Sequence, residues 1–262
     1  MKAVFLAAAI LPLSVVAQEN KANASWIAET ATIEKGKPLR TAIRMQVFEG
    51  WHTYWENPGE GGMPMSIGAE LPEGWVMEPI QYPVPKRFMT GDLPGFGYGG
   101  EVVFPITVTP PAGFSGAVPA LKATLSWLTC NDETCLPGEA ELTLAAKAEP
   151  ELVSKAYDAL PRPLPGAIFS ITTEGENVKF SLMFSEIADF DPTECEIFPV
   201  TRNVIDPAAK PRFTIQRSSL PIFTATAPKS EYLEGEPKEL TLVLSIPGKD
   251  AWKVSSVEPA SK

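Results

Sequence analysis

Glu101-Val-Val-Phe-Pro-Ile-Thr-Val-Thr109 decides the fold class, because apolar residues recur at every second position through it. That is the period of a half-buried strand. The same alternation runs through Arg40-Thr-Ala-Ile-Arg-Met-Gln-Val-Phe48, Leu121-Lys-Ala-Thr-Leu-Ser-Trp-Leu128 and Glu139-Ala-Glu-Leu-Thr-Leu144, with Pro or Gly clusters between the runs. Long helical periodicities are scarce, and 27 Pro and 19 Gly favour short strands joined by turns. Residues 18–148 therefore read as an antiparallel β-sandwich.

Beyond this region, Ala148 to Leu160 has the composition of a short helix that Pro161-Arg-Pro-Leu-Pro-Gly166 cannot continue. Residues 149–166 are expected to link two domains. Strand signals resume at Ala167–Thr172, Val178–Phe184, Arg212–Gln216, Ile222–Thr226 and Glu239–Ile246, so residues 167–262 read as a second, smaller β-sandwich. The predicted fold class is all-β, with two immunoglobulin-like sandwiches.

The chain opens with Lys2 and an apolar run from Ala3 to Ala17, and turns polar at Gln18-Glu19-Asn20. Residues 1–17 are predicted to be a secretory signal peptide, and no later stretch approaches the length of a membrane span. Its removal leaves 245 residues and, with Lys2 gone, takes the formal charge from -10 to -11. Nucleic acid and anionic membrane surfaces are poor partners for such a chain.

Two of the three cysteines, Cys130 and Cys135, have only four residues between them in Cys130-Asn-Asp-Glu-Thr-Cys135. In an oxidising compartment such a pair meets, and its disulfide is either a staple or a redox centre. The intervening residues include two acids and no Lys, Arg or His, so nothing local favours a thiolate. That predicts a reducing couple or a stable disulfide and argues against a strong oxidant. Closing so short a loop stabilises a fold by only about 2 kcal/mol, little for a domain long enough to build its own core.

Three segments resemble the N-terminal region of the DsbD thiol:disulfide interchange family, including its copper-sensitivity-suppressor branch. They are Gly50-Trp-His-Thr-Tyr-Trp-Glu-Asn-Pro-Gly59, Gly95-Phe-Gly-Tyr-Gly-Gly-Glu-Val102, and Trp127-Leu-Thr-Cys-Asn-Asp-Glu-Thr-Cys-Leu-Pro137. Phe198-Pro199 and Val204–Ala209 are similar to the second sandwich of the same region. The resemblance implies an immunoglobulin-like domain whose cysteine pair, here Cys130 and Cys135, receives electrons from a membrane domain and passes them to periplasmic oxidoreductases. It also implies that Tyr54 and His52, on the first segment, and Phe96 and Tyr98, in a capping loop over Asp92–Tyr98, shape the site. The four-residue spacing departs from the three or five of comparable members. The chain is expected to be a stand-alone soluble form lacking the membrane and thioredoxin-like domains, so a separate membrane protein would donate the electrons. The predicted signal peptide implies location in the periplasm, the resemblance implies partnership with other thiol-disulfide oxidoreductases, and no cofactor or resident metal is expected.

Other readings remain open. Met63 and Met65 with the cysteines offer soft ligands for Cu(I), although filling core space is the ordinary use of Met. Trp51, Tyr54, Trp55 and Trp75 could form a binding platform for sugar or peptide on a non-catalytic sandwich with a structural disulfide, but Trp51 and Trp55 share one strand face, as core residues would. His52, the sole histidine, is expected to pack or hydrogen-bond rather than act on a cysteine. Glu139 and Glu141 read as a solvated face, and Cys195 as a small buried residue.

Overall fold

The computed structural model describes residues 20–144, 147–184, 190–216 and 221–256, and the predicted signal peptide at 1–17 lies outside them. The fold is all-β with a single α-helix among the described residues. In the first part, a four-stranded sheet has the order Ala22–Ala28, Leu39–Val47, Glu101–Thr109, Val76–Met77. It faces a sheet ordered Cys135–Thr143, Lys122–Cys130, His52–Gly59, Leu93–Tyr98, Lys86–Thr90, with Ser66–Glu70 also paired to Lys122–Cys130. One core fills the space between them, with Ile43, Met45, Phe104 and Ile106 from the first sheet and Trp55, Phe96, Leu125 and Trp127 from the second. Alternate positions of each strand supply it, as the sequence periods require.

In the second part, Ile168–Glu174, Asn177–Met183, Ile222–Pro228 and Thr214–Gln216 form one sheet. Arg162–Pro163, Ala251–Ser255, Thr241–Ser245 and Glu196–Pro199 form the other, around a core containing Phe169, Phe180, Leu242 and Trp252. Between the two parts lies the helix Pro150–Asp158, whose Val153 packs on Ile27 and Ala42 from the outer face of the first sheet.

The parts meet along a packed seam. Phe198 sits edge-to-face with Trp55 and Phe96, at centroid distances of 6.3 and 6.0 Å, and so belongs to the first core. The buried Asn57 side chain donates from Nδ2 to the Pro199 carbonyl at 2.7 Å and accepts from the Gly59 amide at 3.1 Å. Asn57 can reach across because the pairing of His52–Gly59 with Leu93–Tyr98 is irregular between Tyr54 and Gly59. A bulge of this kind re-aims a side chain out of the strand pattern.

Several strands that the periodicity left unread have specific causes. Leu93-Pro-Gly-Phe-Gly-Tyr98 has the composition of a loop, yet it is a strand whose glycines permit close approach. A Cβ on Gly97 would stand 1.9 Å from the Thr53 carbonyl oxygen, and one on Gly95 2.7 Å from the Phe88 ring.

Candidate functional site

The cysteines close the hairpin made by Lys122–Cys130 and Cys135–Thr143, in which Cys130 lies directly opposite Cys135. They form a disulfide with Cα atoms 4.1 Å apart. Asn131 holds the loop, its side-chain oxygen accepting from the Glu133 and Thr134 amides at 3.0 and 2.8 Å, while its own amide donates to the Thr134 carbonyl at 3.0 Å. The hairpin therefore has its turn without help from sulfur.

The two sulfur-bearing residues differ in access: Cys130 is 0% exposed, whereas Cys135 is exposed. Along Lys122–Cys130, residues Ala123, Leu125 and Trp127 face the core, which places Cys130 on the outer face of the sheet. What buries it there is its neighbours. Cys130 is also in register with His52 on the adjacent strand, and paired residues project to the same side. Tyr54 follows His52 on that side, while Trp55 enters the core and Trp51 packs against it.

Covering this face is the hairpin Lys86–Thr90 and Leu93–Tyr98, which the sequence reading did not assign to the site beyond its second strand. Its Phe88 ring lies 3.7 Å from the His52 ring and 5.5 Å from the Tyr54 ring, centroid to centroid. Thr90 Oγ1 bridges both residues, at 3.0 Å from His52 Nε2 and 3.4 Å from the Tyr54 hydroxyl. At the two-residue tip, a Cβ on Gly91 would come within 4.0 Å of the Asp132 carbonyl oxygen in the cysteine loop. Tyr54 is packed from another side by the Gly61-Gly62 segment: a Cβ on Gly62 would stand 2.3 Å from its ring.

His52 is shifted by this enclosure. Burial lowers its pKa from 6.5 to about 4, against a smaller opposing effect of the Asp132 carboxylate. Near pH 7 the imidazole is therefore neutral and contributes no positive charge to favour a Cys130 thiolate. Tyr54 is likewise pushed upward, mainly by burial, and keeps its proton.

Phe96 and Tyr98 go elsewhere. Phe96 is fully buried against Trp55 and Phe198, and Tyr98 packs on Phe104 while its hydroxyl donates to the Pro83 carbonyl at 2.7 Å. Their strand lies beside the site, but the side chains that overlie His52 and Tyr54 are Phe88 and Thr90. The signal for these was the alternation of Phe88 and Thr90 on one face of Lys86–Thr90. Met65 fills the first core and Met63 is 54% exposed, so the two thioethers sit in different environments. Cys195 is buried in the second part as a free thiol, with its pKa raised to about 12, chiefly by burial.

Residues 19–147 match the family described as thiol:disulfide interchange protein DsbD, N-terminal. Over this segment the chain belongs to the DsbD N-terminal family. The segment holds the whole cysteine hairpin and its cover. Among solved structures, the N-terminal periplasmic domain of ScsB from Proteus mirabilis aligns at 18% identity over 92% of this chain and 95% of its own, with a TM-score of 0.64. The fold similarity thus extends through both parts of the chain. Domains 5-6 of the S-layer protein SbsC align at 9% identity over 91% of this chain and 98% of their own, with a TM-score of 0.18, too low to indicate a shared fold. A search of curated proteins found no significant match.

Proposed function

We propose that this chain is an exported, periplasmic thiol-disulfide exchange protein of two domains. In this reading it passes reducing equivalents to other extracytoplasmic oxidoreductases through Cys130 and Cys135. The observation that carries the reading is the polarity of the disulfide, one sulfur-bearing residue exposed and the other sealed, within a segment of a thiol:disulfide interchange family. The ScsB domain's description as periplasmic and the predicted signal peptide support the location.

Exchange then proceeds with one defined attacking and attacked sulfur. A reduced partner's thiolate attacks Cys135 Sγ, the Cys130–Cys135 bond breaks, and Cys130 leaves as a thiolate that takes up a proton. The partner's second thiolate attacks its own mixed-disulfide sulfur and releases Cys135, so two electrons and two protons have moved to the pair. In the delivering direction, the Cys135 thiolate attacks a target disulfide and the Cys130 thiolate resolves the mixed disulfide, releasing the reduced target. Thiolates formed here gain nothing from a neutral His52 or from Asp132 and Glu133. Spontaneous exchange is accordingly slow and depends on an activated partner.

A staple role has less support in the geometry. The loop that the disulfide closes is already fastened by three hydrogen bonds centred on Asn131. The deciding measurement is the reduction potential of the pair in thiol redox buffers. A value of roughly -180 to -270 mV supports exchange, and one well below about -300 mV would leave only a structural disulfide.

A further inference from the structure

On the seam between the two parts lies a cleft of about 400 Å³. Lys86, Arg87, Lys210 and Arg212 line it together with one acid, Glu196. The whole chain carries a formal charge of -10, so four cations against one carboxylate in a single cleft run opposite to the rest of the molecule.

Arg87 donates to two backbone carbonyls, Ile197 at 2.7 Å and Pro207 at 3.0 Å, and its guanidinium lies 4.9 Å from the Phe96 ring centre and 5.2 Å from that of Phe198. Those contacts fix its position. Arg212 donates one N–H to the Cys195 carbonyl at 3.2 Å. Among the described residues, neither arginine nor Lys86 nor Lys210 forms an ion pair with a carboxylate. Burial lowers the pKa of Arg87; Glu196 opposes that and the like charge of Arg212 adds to it. Two guanidiniums near enough to disfavour each other, one of them immobilised, cost free energy that an anion between them would offset.

We infer that this cleft binds a multivalent oxyanion of the phosphate class, held by Arg87 and Arg212 with Lys86 and Lys210 supplying further charge. Guanidinium forks match the paired oxygens of such anions, and the donors not used on backbone carbonyls remain for them. The ligand joins groups from both parts, with Lys86 and Arg87 in the first and Lys210 and Arg212 in the second. It should therefore stabilise the folded protein by mass action. The inference is independent of the cysteine chemistry.

Inorganic pyrophosphate is the probe, titrated calorimetrically into the mature protein at constant ionic strength set with chloride, with melting temperature followed in parallel. Saturable binding is expected, with a rise in Tm of about 3 °C when the probe exceeds its Kd tenfold. Arg212→Ala and Lys210→Glu both lie at exposed positions outside the two cores and should fold normally. Each should weaken binding at least about tenfold, the scale of one charge-assisted contact. Orthophosphate tested beside pyrophosphate separates a single-phosphate site from one needing two. Absence of saturable binding to either would overturn the inference, as would equal binding by wild type and both variants.

Discussion

Single-cysteine variants offer the most direct reading of the site's polarity. Cys130→Ser leaves the exposed Cys135 thiol, and Cys135→Ser leaves the buried Cys130 beside His52, which the Lys86–Thr90 hairpin covers; both lack the disulfide, so they differ only in which thiol remains. To label Cys130 natively, the hairpin must lift. That sacrifices the His52–Thr90 hydrogen bond, about 1 kcal/mol, and the His52–Phe88 ring contact, about 0.5–1.5 kcal/mol. Re-exposing part of the half-buried Phe88 costs about 1 kcal/mol more. An opening cost of about 2–4 kcal/mol corresponds to labelling of Cys130 slower by about 30- to 700-fold. The assay is alkylation with iodoacetamide under native conditions, quenched at intervals and read by mass spectrometry, with a denatured control in which the two rates converge. Adding Thr90→Val to the Cys135→Ser background removes the hydroxyl that ties the hairpin to His52 and Tyr54, and should speed Cys130 labelling about fivefold. Equal native rates for the two thiols would refute the proposed polarity, and no effect of Thr90→Val would refute the hairpin as its cause.

Three further outcomes follow from the geometry. Gly62→Ala places a Cβ 2.3 Å from the Tyr54 ring and should lower unfolding free energy by about 1–3 kcal/mol in urea titration. Asn57→Ala strips the Pro199 carbonyl and the Gly59 amide of a buried partner and should cost about 1–3 kcal/mol, measured by the same titration. His52 binds its proton less readily folded, at about 4, than at its ordinary 6.5, so its contribution to stability is lost as pH falls through that window; His52→Asn should flatten the pH dependence of Tm there, and an unchanged slope would contradict the enclosure of the ring.

The sequence reading succeeded where one face of a strand meets a core and the other meets water. Glu101–Thr109 was delimited to the residue, and Leu121–Leu128 was placed with its end two residues short of Cys130. It failed where both faces of a strand are occupied or where glycine replaces side chains. His52–Gly59 carries Trp55 inward and Tyr54 beneath Phe88, so no polar alternation delimits it, although the spacing of Trp51 and Trp55 did place both on one strand face toward the core. Leu93–Tyr98 reads as turn because its glycines admit the neighbouring backbone and the Phe88 ring. The cysteine pair and Tyr54 were singled out by resemblance, whereas Phe88 and Thr90 depend on a hairpin packing against a strand distant in sequence. Phe96 and Tyr98 were expected in a capping loop, but they lie on a strand whose pleat sends their rings into packing against Trp55, Phe198 and Phe104.

The strand Lys86–Thr90 is two-faced, and this ties the parts of the molecule together in an unadvertised way. Phe88 and Thr90 project toward the cysteine face, while Arg87 projects to the opposite side and grips carbonyls of Ile197 and Pro207. The second part thereby acts as a splint: it braces from behind the same ribbon whose Phe88 and Thr90 cover His52, the strand neighbour of Cys130. Severed from that brace, the first part would keep its disulfide but hold its shield less firmly, and reagents would discriminate less between the two sulfurs. On the proposed function, a segment outside the cysteine hairpin would thus set how selectively a distant bond is opened.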